Sequence, residues 1–141
     1  MNQSELGELG KDYRGGIQPA TAEEWHRLAG WRIEESEILL RAEKWNGAIY
    51  LAGLAVECRI KWFAAVTKMN VPYGHDLENL ATDVGLIEFL LGQIPQEWRH
   101  VVFWYVEIRY ESQALTQFQA ERFFFAASRI MDIIETKSKG G

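Results

Sequence analysis

The spacing of apolar and polar residues predicts that the chain is helical from Thr21 onward. Between residues 21 and 43, apolar or small residues recur every three or four positions, and glutamate and arginine fill many of the positions between them. Thr21 followed by Glu24 is a capping-box pattern, which is typical of a helix start. We therefore expect a first helix from Thr21 to about Glu43, and Asn46-Gly47 marks the break after it.

A second helix is predicted from about Asn46 to Lys68, and it is apolar on nearly every side. Such a helix either lies at the centre of a bundle or buries a second face against a partner. Its charged residues Glu57 and Lys61 are four positions apart, in the order that favours an ion pair, and Arg59 between them points elsewhere. Two interpretations stay open for the pair. It is either a structural pair that fixes the register of the helices or a polar centre that holds a group from a neighbouring helix.

Shorter elements are predicted after this helix. Asp76 is a suitable N-cap for a short helix, and glycines and a proline bound another short helix, LIEFLL. The segment from Gln96 to about Tyr110 contains VVFWYV, which has strong β-propensity. A strand without a partner is not stable, and no second strand candidate exists, so we predict a helix there as well.

A last helix is predicted from about Thr116 to Thr136. Its core stripe consists of Ala120, Phe123, Phe124, Ala127, Ile130, Met131 and Ile134. A second stripe on another face, here called the outer stripe, consists of Phe118, Arg122, Phe125 and Arg129. The phenylalanines of the outer stripe are either additional core or a self-association surface, because exposed apolar patches usually mark partners.

Together these elements predict an all-α protein, an antiparallel bundle of four or five helices of which four are long. The predicted domain spans residues 21–136, between a flexible N-terminal tail at 1–20 and a C-terminal tail at 137–141. Five tryptophans on the predicted helices are expected in the core or at a dimer seam: Trp25, Trp31, Trp62, Trp98 and Trp104. The apolar surface exceeds what one small bundle can bury, so we expect a homodimer.

Composition and charge exclude several classes of protein. The 141 residues carry a formal net charge of −5, so there is no overall basic field to hold nucleic acid. The single cysteine, Cys58, excludes an internal disulfide and a cysteine-based zinc site, and its apolar helix predicts an inert thiol. The three histidines lack metal-motif spacing and no phosphate-binding glycine loop occurs, so we expect no metal and no cofactor. No apolar run could span a membrane and the polar N-terminus is unlike a signal peptide, which predicts a cytoplasmic protein.

Two clusters that contain arginine are candidate sites, Arg99-His100 and Arg109-Tyr110. A guanidinium beside an aromatic ring can bind a phosphate while the ring stacks on a base. A structural alternative stays open for the second cluster. In that alternative its arginine pairs with a carboxylate such as Glu57 or Glu111, and its tyrosine caps the core.

Three motifs follow one another along the chain. They are WNGAIYLAGLAVE at residues 45–57 with Lys61-Trp62-Phe63, then Gly74-His75-Asp76-Leu77 with Leu80, and finally Arg109-Tyr110. In this order and spacing they resemble the HEPN domain family. Its second helix has small residues, an Ala-Val-Glu step and a lysine four residues on, its third helix starts with His-Asp-Leu, and its fourth helical segment ends in Arg-Tyr. The resemblance spans roughly residues 22–135.

The resemblance implies an all-α bundle of four or five helices that is often dimeric. It also implies one of two roles. Many HEPN proteins are ribonucleases of toxin–antitoxin, CRISPR or phage-defence systems, and others are small partners encoded beside a minimal nucleotidyltransferase. The ribonucleases depend on an arginine followed, after four to six residues, by a histidine. No arginine of this chain stands at that distance before His26, His75 or His100.

The leading hypothesis is therefore a non-catalytic or divergent HEPN-like protein. It is a dimeric partner of a minimal nucleotidyltransferase in a toxin–antitoxin or defence-type module. We expect it to bind a protein, a nucleotide or RNA through Arg109 and Tyr110, with Glu57 and Lys61 as supporting groups.

The alternative hypothesis is an enzyme, a metal-independent, toxin-like ribonuclease that uses Arg99, His100 and Arg109 in a non-standard arrangement. In such chemistry the histidine activates or protonates an oxygen while an arginine steadies the phosphate. A third interpretation is a structural helical dimer that shares only the patterning of a bundle.

Overall fold

The computed structural model describes residues 18–140, which form helices joined by short connections. In chain order they are α1 (Ala22–Arg41), α2 (Trp45–Val66), α3 (Leu77–Asp83), α4 (Ile87–Gln93), α5 (Pro95–Val101), a 3-10 helix (Val106–Tyr110) and α6 (Gln117–Gly140). No β-strand occurs within residues 18–140, which confirms the predicted all-α class. Most of the predicted N-terminal tail, residues 1–17, lies outside the described residues.

The predicted helix starts at Thr21 and Asp76 are confirmed. The Thr21 hydroxyl accepts a hydrogen bond from the Glu24 amide at 3.1 Å, and the Glu24 carboxylate accepts one from the Ala20 amide at 2.7 Å. At the start of α3, Asp76 Oδ1 accepts a hydrogen bond from the Asn79 amide at 2.9 Å. In both places a side-chain oxygen satisfies an amide that has no acceptor within the first helical turn.

The central helix of the bundle is α2, as its apolar pattern predicts. Every residue from Ala55 to Ala64 is buried, and α1, α3, α6 and the 3-10 helix all contact α2. The interface with α1 also contains a fully buried polar residue, Ser36, whose hydroxyl donates to the Ala48 carbonyl at 2.6 Å. The hydroxyl therefore keeps a hydrogen bond inside the core, as buried polar groups require.

The prediction of a single helix from Gln96 to Tyr110 is wrong. Helix α5 ends at Val101, Tyr105 has extended dihedral angles, and the 3-10 helix follows as a separate element. The β-branched and aromatic residues of VVFWYV are poor helix formers, and the chain turns here so that Trp104 packs against α2. The described bundle therefore has three long helices where four were predicted.

The last helix, α6, is longer than predicted. It continues past Thr136 to Gly140, so the residues predicted as a C-terminal tail are helical up to that point. Lysines in its last turn interact favourably with the negative end of the helix dipole. One of them, Lys137, also places its ammonium 5.2 Å from the centre of the Phe89 ring in α4. The predicted core stripe of α6 is confirmed, because its residues are buried or half-buried.

Three aromatic residues that were candidates for the core are exposed. Phe118 and Phe125 of α6 are 65% and 64% exposed, so the interpretation of the outer stripe as additional core is wrong. Trp31 of α1 is 51% exposed and is not part of the core either. The other tryptophans expected in the core or at a seam are buried, namely Trp25, Trp62, Trp98 and Trp104.

Trp104 reaches α2 through a gap that a glycine leaves open. A Cβ at position 53 would lie 2.1 Å from two atoms of the Trp104 indole, far inside van der Waals contact. The buried indole also stacks on the Tyr50 ring of α2, with 6.3 Å between the ring centroids. Gly53 thus determines where the connection between α5 and the 3-10 helix docks.

We expect Gly53→Ala to displace Trp104 and to lower the free energy of unfolding by about 1–3 kcal/mol, the usual effect of overpacking. Gly30→Ala is the matched control, because a Cβ at position 30 of α1 would meet no atom within 4 Å and alanine favours a helix. Urea denaturation followed by circular dichroism measures both variants. Equal stability of the Gly53 variant and the wild type would contradict this close approach.

Candidate functional site

A buried charged cluster joins α2 to the connection that precedes α3. Glu57 and Lys61 are 5% and 6% exposed, and Lys61 Nζ lies 3.2 Å from Glu57 Oε2. The other carboxylate oxygen of Glu57 lies 2.9 Å from His75 Nδ1, and Lys61 Nζ also donates to the Gly74 carbonyl at 2.9 Å. The two residues therefore pair with each other and also hold two groups of a neighbouring segment.

The local sequence explains why these groups meet. Glu57 and Lys61 are about one turn apart on α2, so their side chains lie on the same side of the helix. Gly74 has a φ of 101°, a left-handed conformation that suits glycine, and it turns the chain immediately before His75. The N-cap of α3 follows directly at Asp76, so the start of α3 is tied to the cluster.

The charge of Lys61 is compensated from three sides. Its Nζ donates to the Glu57 carboxylate and to the Gly74 carbonyl. On a third side, the centre of the Trp25 ring in α1 lies 5.6 Å from Nζ. Burial of an ion is costly unless other charges and hydrogen bonds replace its water. The cluster therefore depends on all of its members, and loss of the carboxylate would leave an uncompensated cation in the core.

His75 is the exposed member of the cluster. Its side chain is 54% exposed and lines a cavity of about 280 Å³ together with Asp76, Trp104, Tyr105 and Glu107. Glu57 holds Nδ1, so Nε2 is the ring nitrogen that remains for a ligand or a proton. A histidine oriented by a carboxylate can accept or donate a proton at its second nitrogen.

The predicted Arg109-Tyr110 site lies on the surface, in the 3-10 helix. Arg109 Nη1 donates to the Tyr50 hydroxyl at 3.4 Å, and the guanidinium carbon lies 5.0 Å from the centre of the Tyr110 ring. The hydrogen bond to Tyr50 raises the pKa of Arg109 above its usual range, so the group stays cationic. The predicted structural alternative is wrong. Within residues 18–140 the Glu57 carboxylate pairs with Lys61 and His75, the Glu111 carboxylate accepts a hydrogen bond from the Gln113 amide, and Tyr110 is 74% exposed.

The four residues predicted to bind a ligand do not form one site. The glutamate–lysine pair is enclosed in the bundle, whereas the arginine and tyrosine of the 3-10 helix are exposed. The two places are connected only indirectly. The ring of Tyr50, next to Arg109, stacks on Trp104, which lines the cavity beside His75.

His100 is paired with an arginine of α6. Arg122 Nη2 lies 2.8 Å from His100 Nε2, and its guanidinium lies 5.1 Å from the centre of the Phe118 ring. Because a guanidinium can only donate, Nε2 of the histidine is the acceptor and carries no proton in this arrangement. The hydrogen bonds of the described residues place neither Arg99 nor Arg109 at His100, so the three residues of the ribonuclease alternative are not assembled in the predicted way.

The His100–Arg122 pair stands where two surface cavities adjoin. One of about 520 Å³ is lined by residues of α2, α6 and the connection around Trp104, and the other, of about 470 Å³, lies between α5 and α6. Both cavities are lined by His100, Arg122 and Phe118. The larger one also includes Phe103, which is 83% exposed.

Cys58 is buried in α2 and is not a nucleophile. Burial, followed by the nearby charge of Glu57, raises the pKa of the Cys58 thiol to about 12. The thiol therefore stays protonated at neutral pH, and the protonated form is a poor nucleophile. The burial and the raised pKa agree with the expectation of an inert cysteine.

A second buried charge of α2 is held by α6. Arg59 Nη1 lies 3.3 Å from one carboxylate oxygen of Glu135, and the other oxygen is hydrogen-bonded to His26 of α1. The His26 hydrogen bond, together with the Arg59 charge, holds the pKa of Glu135 below its ordinary value. Arg59 thus points away from Lys61, as expected, and this ion pair helps to tie the three long helices together.

The contacts of His75 and Arg122 are not readable from local sequence. The contact between His75 and Glu57 spans a loop, and Arg122 is 22 residues from His100 on another helix, so no spacing rule links either pair. A signal does exist for Trp104. A glycine at the centre of an apolar helix, here Gly53, is typical of close approach by another group.

Metal binding and membrane insertion find no support in the part of the chain that the structure describes. In residues 18–140, histidine, cysteine, aspartate and glutamate side chains do not come together in any group of three or more that could hold a metal ion. Over the same range no helix combines the length and apolar character needed to cross a membrane.

The fold and the cluster define a class, a small helical bundle whose central helix carries a buried glutamate–lysine pair that binds a histidine. The family model of the HEPN domain matches residues 22–137, from the start of α1 into the last turn of α6. The chain therefore belongs to the HEPN domain family, as the three motifs indicate. Searches among curated proteins and among solved structures give no significant match.

Removal of the Glu57 carboxylate leaves the Lys61 ammonium buried without its counter-charge. We expect Glu57→Ala to lower the free energy of unfolding by about 3–5 kcal/mol, the usual effect of breaking a buried pair. Glu57→Gln keeps the shape, and its amide oxygen can still accept the Lys61 hydrogen bond, so this variant should lose less stability. Urea denaturation measures both variants.

Glu37→Ala is the matched control for this prediction. Glu37 and Arg41 form an ion pair of the same i,i+4 spacing on α1, but both side chains are exposed. Such a surface pair contributes about 1 kcal/mol or less. A similar loss of stability in the Glu37 and Glu57 alanine variants would show that the buried cluster has no special energetic role.

Proposed function

We propose that this HEPN protein is a non-catalytic or divergent binding partner in a toxin–antitoxin or defence-type module. It acts as a homodimer together with a minimal nucleotidyltransferase and binds a protein, a nucleotide or RNA at Arg109-Tyr110. One observation carries the proposal. Arg109 is a permanent surface cation whose hydrogen bond goes to a tyrosine hydroxyl and not to a carboxylate.

The arginine and the tyrosine suit a ligand that has an anionic group next to a base or an apolar side chain. A guanidinium can form two parallel hydrogen bonds to a phosphate or a carboxylate. The exposed ring of Tyr110 is free to stack on a base or an apolar side chain. The whole chain has a net charge of −5, so attraction to a polyanion must come from this local cation and not from a general field.

Glu57 and Lys61 support the site and do not touch the ligand. Both are buried in α2, the helix that also carries Tyr50, the hydrogen-bond partner of Arg109. The buried cluster holds α2 against the start of α3, and Trp104 docks on the same helix. The position of Tyr50 relative to the 3-10 helix therefore depends on this packing.

The nucleotidyltransferase role is supported by membership of the HEPN family together with the absence of the arginine–histidine spacing from the sequence. A gene for a minimal nucleotidyltransferase beside the gene for this chain would support the role, and co-purification of the two products would test it. A neighbourhood without such a gene would weaken it.

We expect Arg109→Ala to weaken binding of a fluorescein-labelled single-stranded RNA by about tenfold, since a hydrogen bond to a charged group contributes about 1.5–3 kcal/mol. Fluorescence anisotropy over a range of salt concentrations measures the affinity, and ATP serves as a competitor for the nucleotide case. Arg27→Ala is the control, because Arg27 is an exposed arginine of α1 that lies beside Trp62 and Val66, at the opposite end of α2 from Tyr50. It should leave the affinity unchanged.

A second measurement tests whether the ligand at Arg109-Tyr110 is a protein. Tagged wild-type and Arg109→Ala chains are used to capture partners from host cells, and both the protein and the RNA that co-purify are identified. The partner that is lost with Arg109→Ala but kept with Arg27→Ala is the one bound at this site. If RNA, ATP and every captured protein bind both variants equally, Arg109 is not the binding residue.

A second candidate function is a metal-independent ribonuclease, and the pair of His100 and Arg122 favours it. The 2.8 Å contact joins an imidazole and a guanidinium beside the exposed Phe103 and Phe118 rings. In this role a phosphate would take the N–H groups of Arg122. Nε2 of His100 would then be free to accept the proton of a 2′-hydroxyl, whose oxygen attacks the phosphorus while the bond from phosphorus to the 5′-oxygen breaks. The products are a 2′,3′-cyclic phosphate and a 5′-hydroxyl, and the leaving 5′-oxygen takes its proton from the imidazolium. Arg122 replaces Arg99 and Arg109 as the arginine of this alternative.

For this second candidate we expect purified protein to cleave RNA in the presence of a chelator, and His100→Ala to reduce cleavage by about 100-fold, the lower range for loss of a general base. Gel analysis of labelled RNA measures the rate. Arg99→Ala is the control and should keep full activity. Cleavage that persists in His100→Ala would rule out this role for the histidine.

A further inference from the structure

The outer stripe of α6 is an apolar surface that no helix in the described part of the chain covers. Phe118 and Phe125 are 65% and 64% exposed, and they stand two turns apart, roughly 10.5 Å along the helix axis. Phe103 on the neighbouring connection is 83% exposed. Exposed aromatic side chains that are grouped in this way mark an interface more often than a solvated surface.

The same face carries hollows beside these protruding rings. The cavity of about 470 Å³ between α5 and α6 is lined by Phe118, Phe125 and Ala126 of α6 and by His100 of α5. The cavity of about 520 Å³ adjoins it on the other side of the His100–Arg122 pair. A two-fold interface uses one patch on both subunits, so the patch must offer both protrusions and hollows, and this face does.

The charges at the centre of the stripe are also complementary to themselves. Glu121 and Arg122 are adjacent, between the two phenylalanines, and one is acidic while the other is basic. Glu121 Oε1 accepts a hydrogen bond from Gln117 at 2.6 Å, and Arg122 donates to His100, which leaves further oxygen and N–H positions on both groups. Neither residue forms an ion pair within residues 18–140.

We propose that two copies of this chain pair through antiparallel α6 helices, with the two-fold axis between Glu121 and Arg122. In this register Phe118 of one copy faces Phe125 of the other, and Glu121 faces Arg122, each contact occurring twice. A single register satisfies both pairs because both are centred on the same point of the helix. The proposal rests on the homodimer of the proposed function and specifies the surface that forms it.

A second copy fits this face better than a nucleic acid does. Glu97 and Glu121 line the cavity beside the stripe, and carboxylates repel a phosphate backbone. Self-pairing uses one of these carboxylates as the partner of Arg122. This interface covers Phe118, so it competes with the ribonuclease candidate, which needs the same surface open to RNA.

The oligomeric state tests the proposal. Light scattering coupled to size exclusion, over a series of micromolar concentrations, should give twice the chain mass of 16.3 kDa for the wild type. The double variant Phe118→Ser, Phe125→Ser should raise the dimer dissociation constant at least tenfold. Tyr73→Ser is the matched control, since Tyr73 is 86% exposed outside the stripe, and it should stay dimeric.

Charge reversal tests the register. Arg122→Glu alone places two glutamates opposite two glutamates, and Glu121→Arg alone does the same with arginines, so each variant should dissociate. A mixture of the two variants restores both ion pairs and should form a heterodimer, which native mass spectrometry distinguishes from either homodimer. Circular dichroism checks that every variant is folded.

The outcomes separate this interface from the proposed function. A wild-type chain that is monomeric throughout would overturn both the α6 interface and the homodimer. A wild-type dimer that resists both the serine and the charge variants would overturn the α6 interface alone. Weakening by the serine variants without rescue in the mixture would place the interface on α6 but overturn the proposed register. RNA binding by Arg109 variants is read independently of all three.

Discussion

The burial of α2 on all sides is the constraint on which the rest of the structure depends. A helix that is surrounded by other elements has no side on which a charge can meet water. Each charged side chain in its buried half must therefore find a partner from a neighbouring element. Glu57 and Lys61 take theirs from the segment before α3, and Arg59 takes its partner from α6. The partners of these charges thus help to position the helices around α2.

The same constraint separates the structural polar groups from those that can meet a ligand. The glutamate and lysine of α2 have their hydrogen bonds satisfied inside the bundle, and only His75 brings that cluster to the surface. Two exposed groups with unused hydrogen-bonding capacity lie where α2 is covered by irregular elements. Arg109 on the 3-10 helix and His100 near the end of α5 both flank the connection that Trp104 anchors over Gly53.

The way in which other elements cover α2 also explains why α6 keeps an exposed apolar surface. The inner face of α6 packs on α2, and this leaves the outer stripe without a covering element among the described residues, 18–140. Four long helices would have provided one more surface for packing, but α5 ends at Val101. The residues that follow are used to dock Trp104 into the gap at Gly53. The phenylalanines of α6 therefore stay exposed because the chain between α5 and α6 docks Trp104 on α2 and does not form a fourth long helix.

Several features were determined by the sequence itself, because they depend on neighbours one or two helical turns apart. These include the start of α1 at Thr21, the cap at Asp76, the central position of α2 and the ion pair of Glu57 with Lys61. The three HEPN motifs were readable for the same reason, since each is a short pattern.

Tertiary structure decided what depends on residues far apart in the sequence. It ended the helix after Val101, because the docking of Trp104 outweighed helical spacing. It left Phe118 and Phe125 outside the core, since periodicity shows which face a residue shares but not whether another element covers that face. It also chose His75 for Glu57 and Arg122 for His100, contacts that no local pattern encodes.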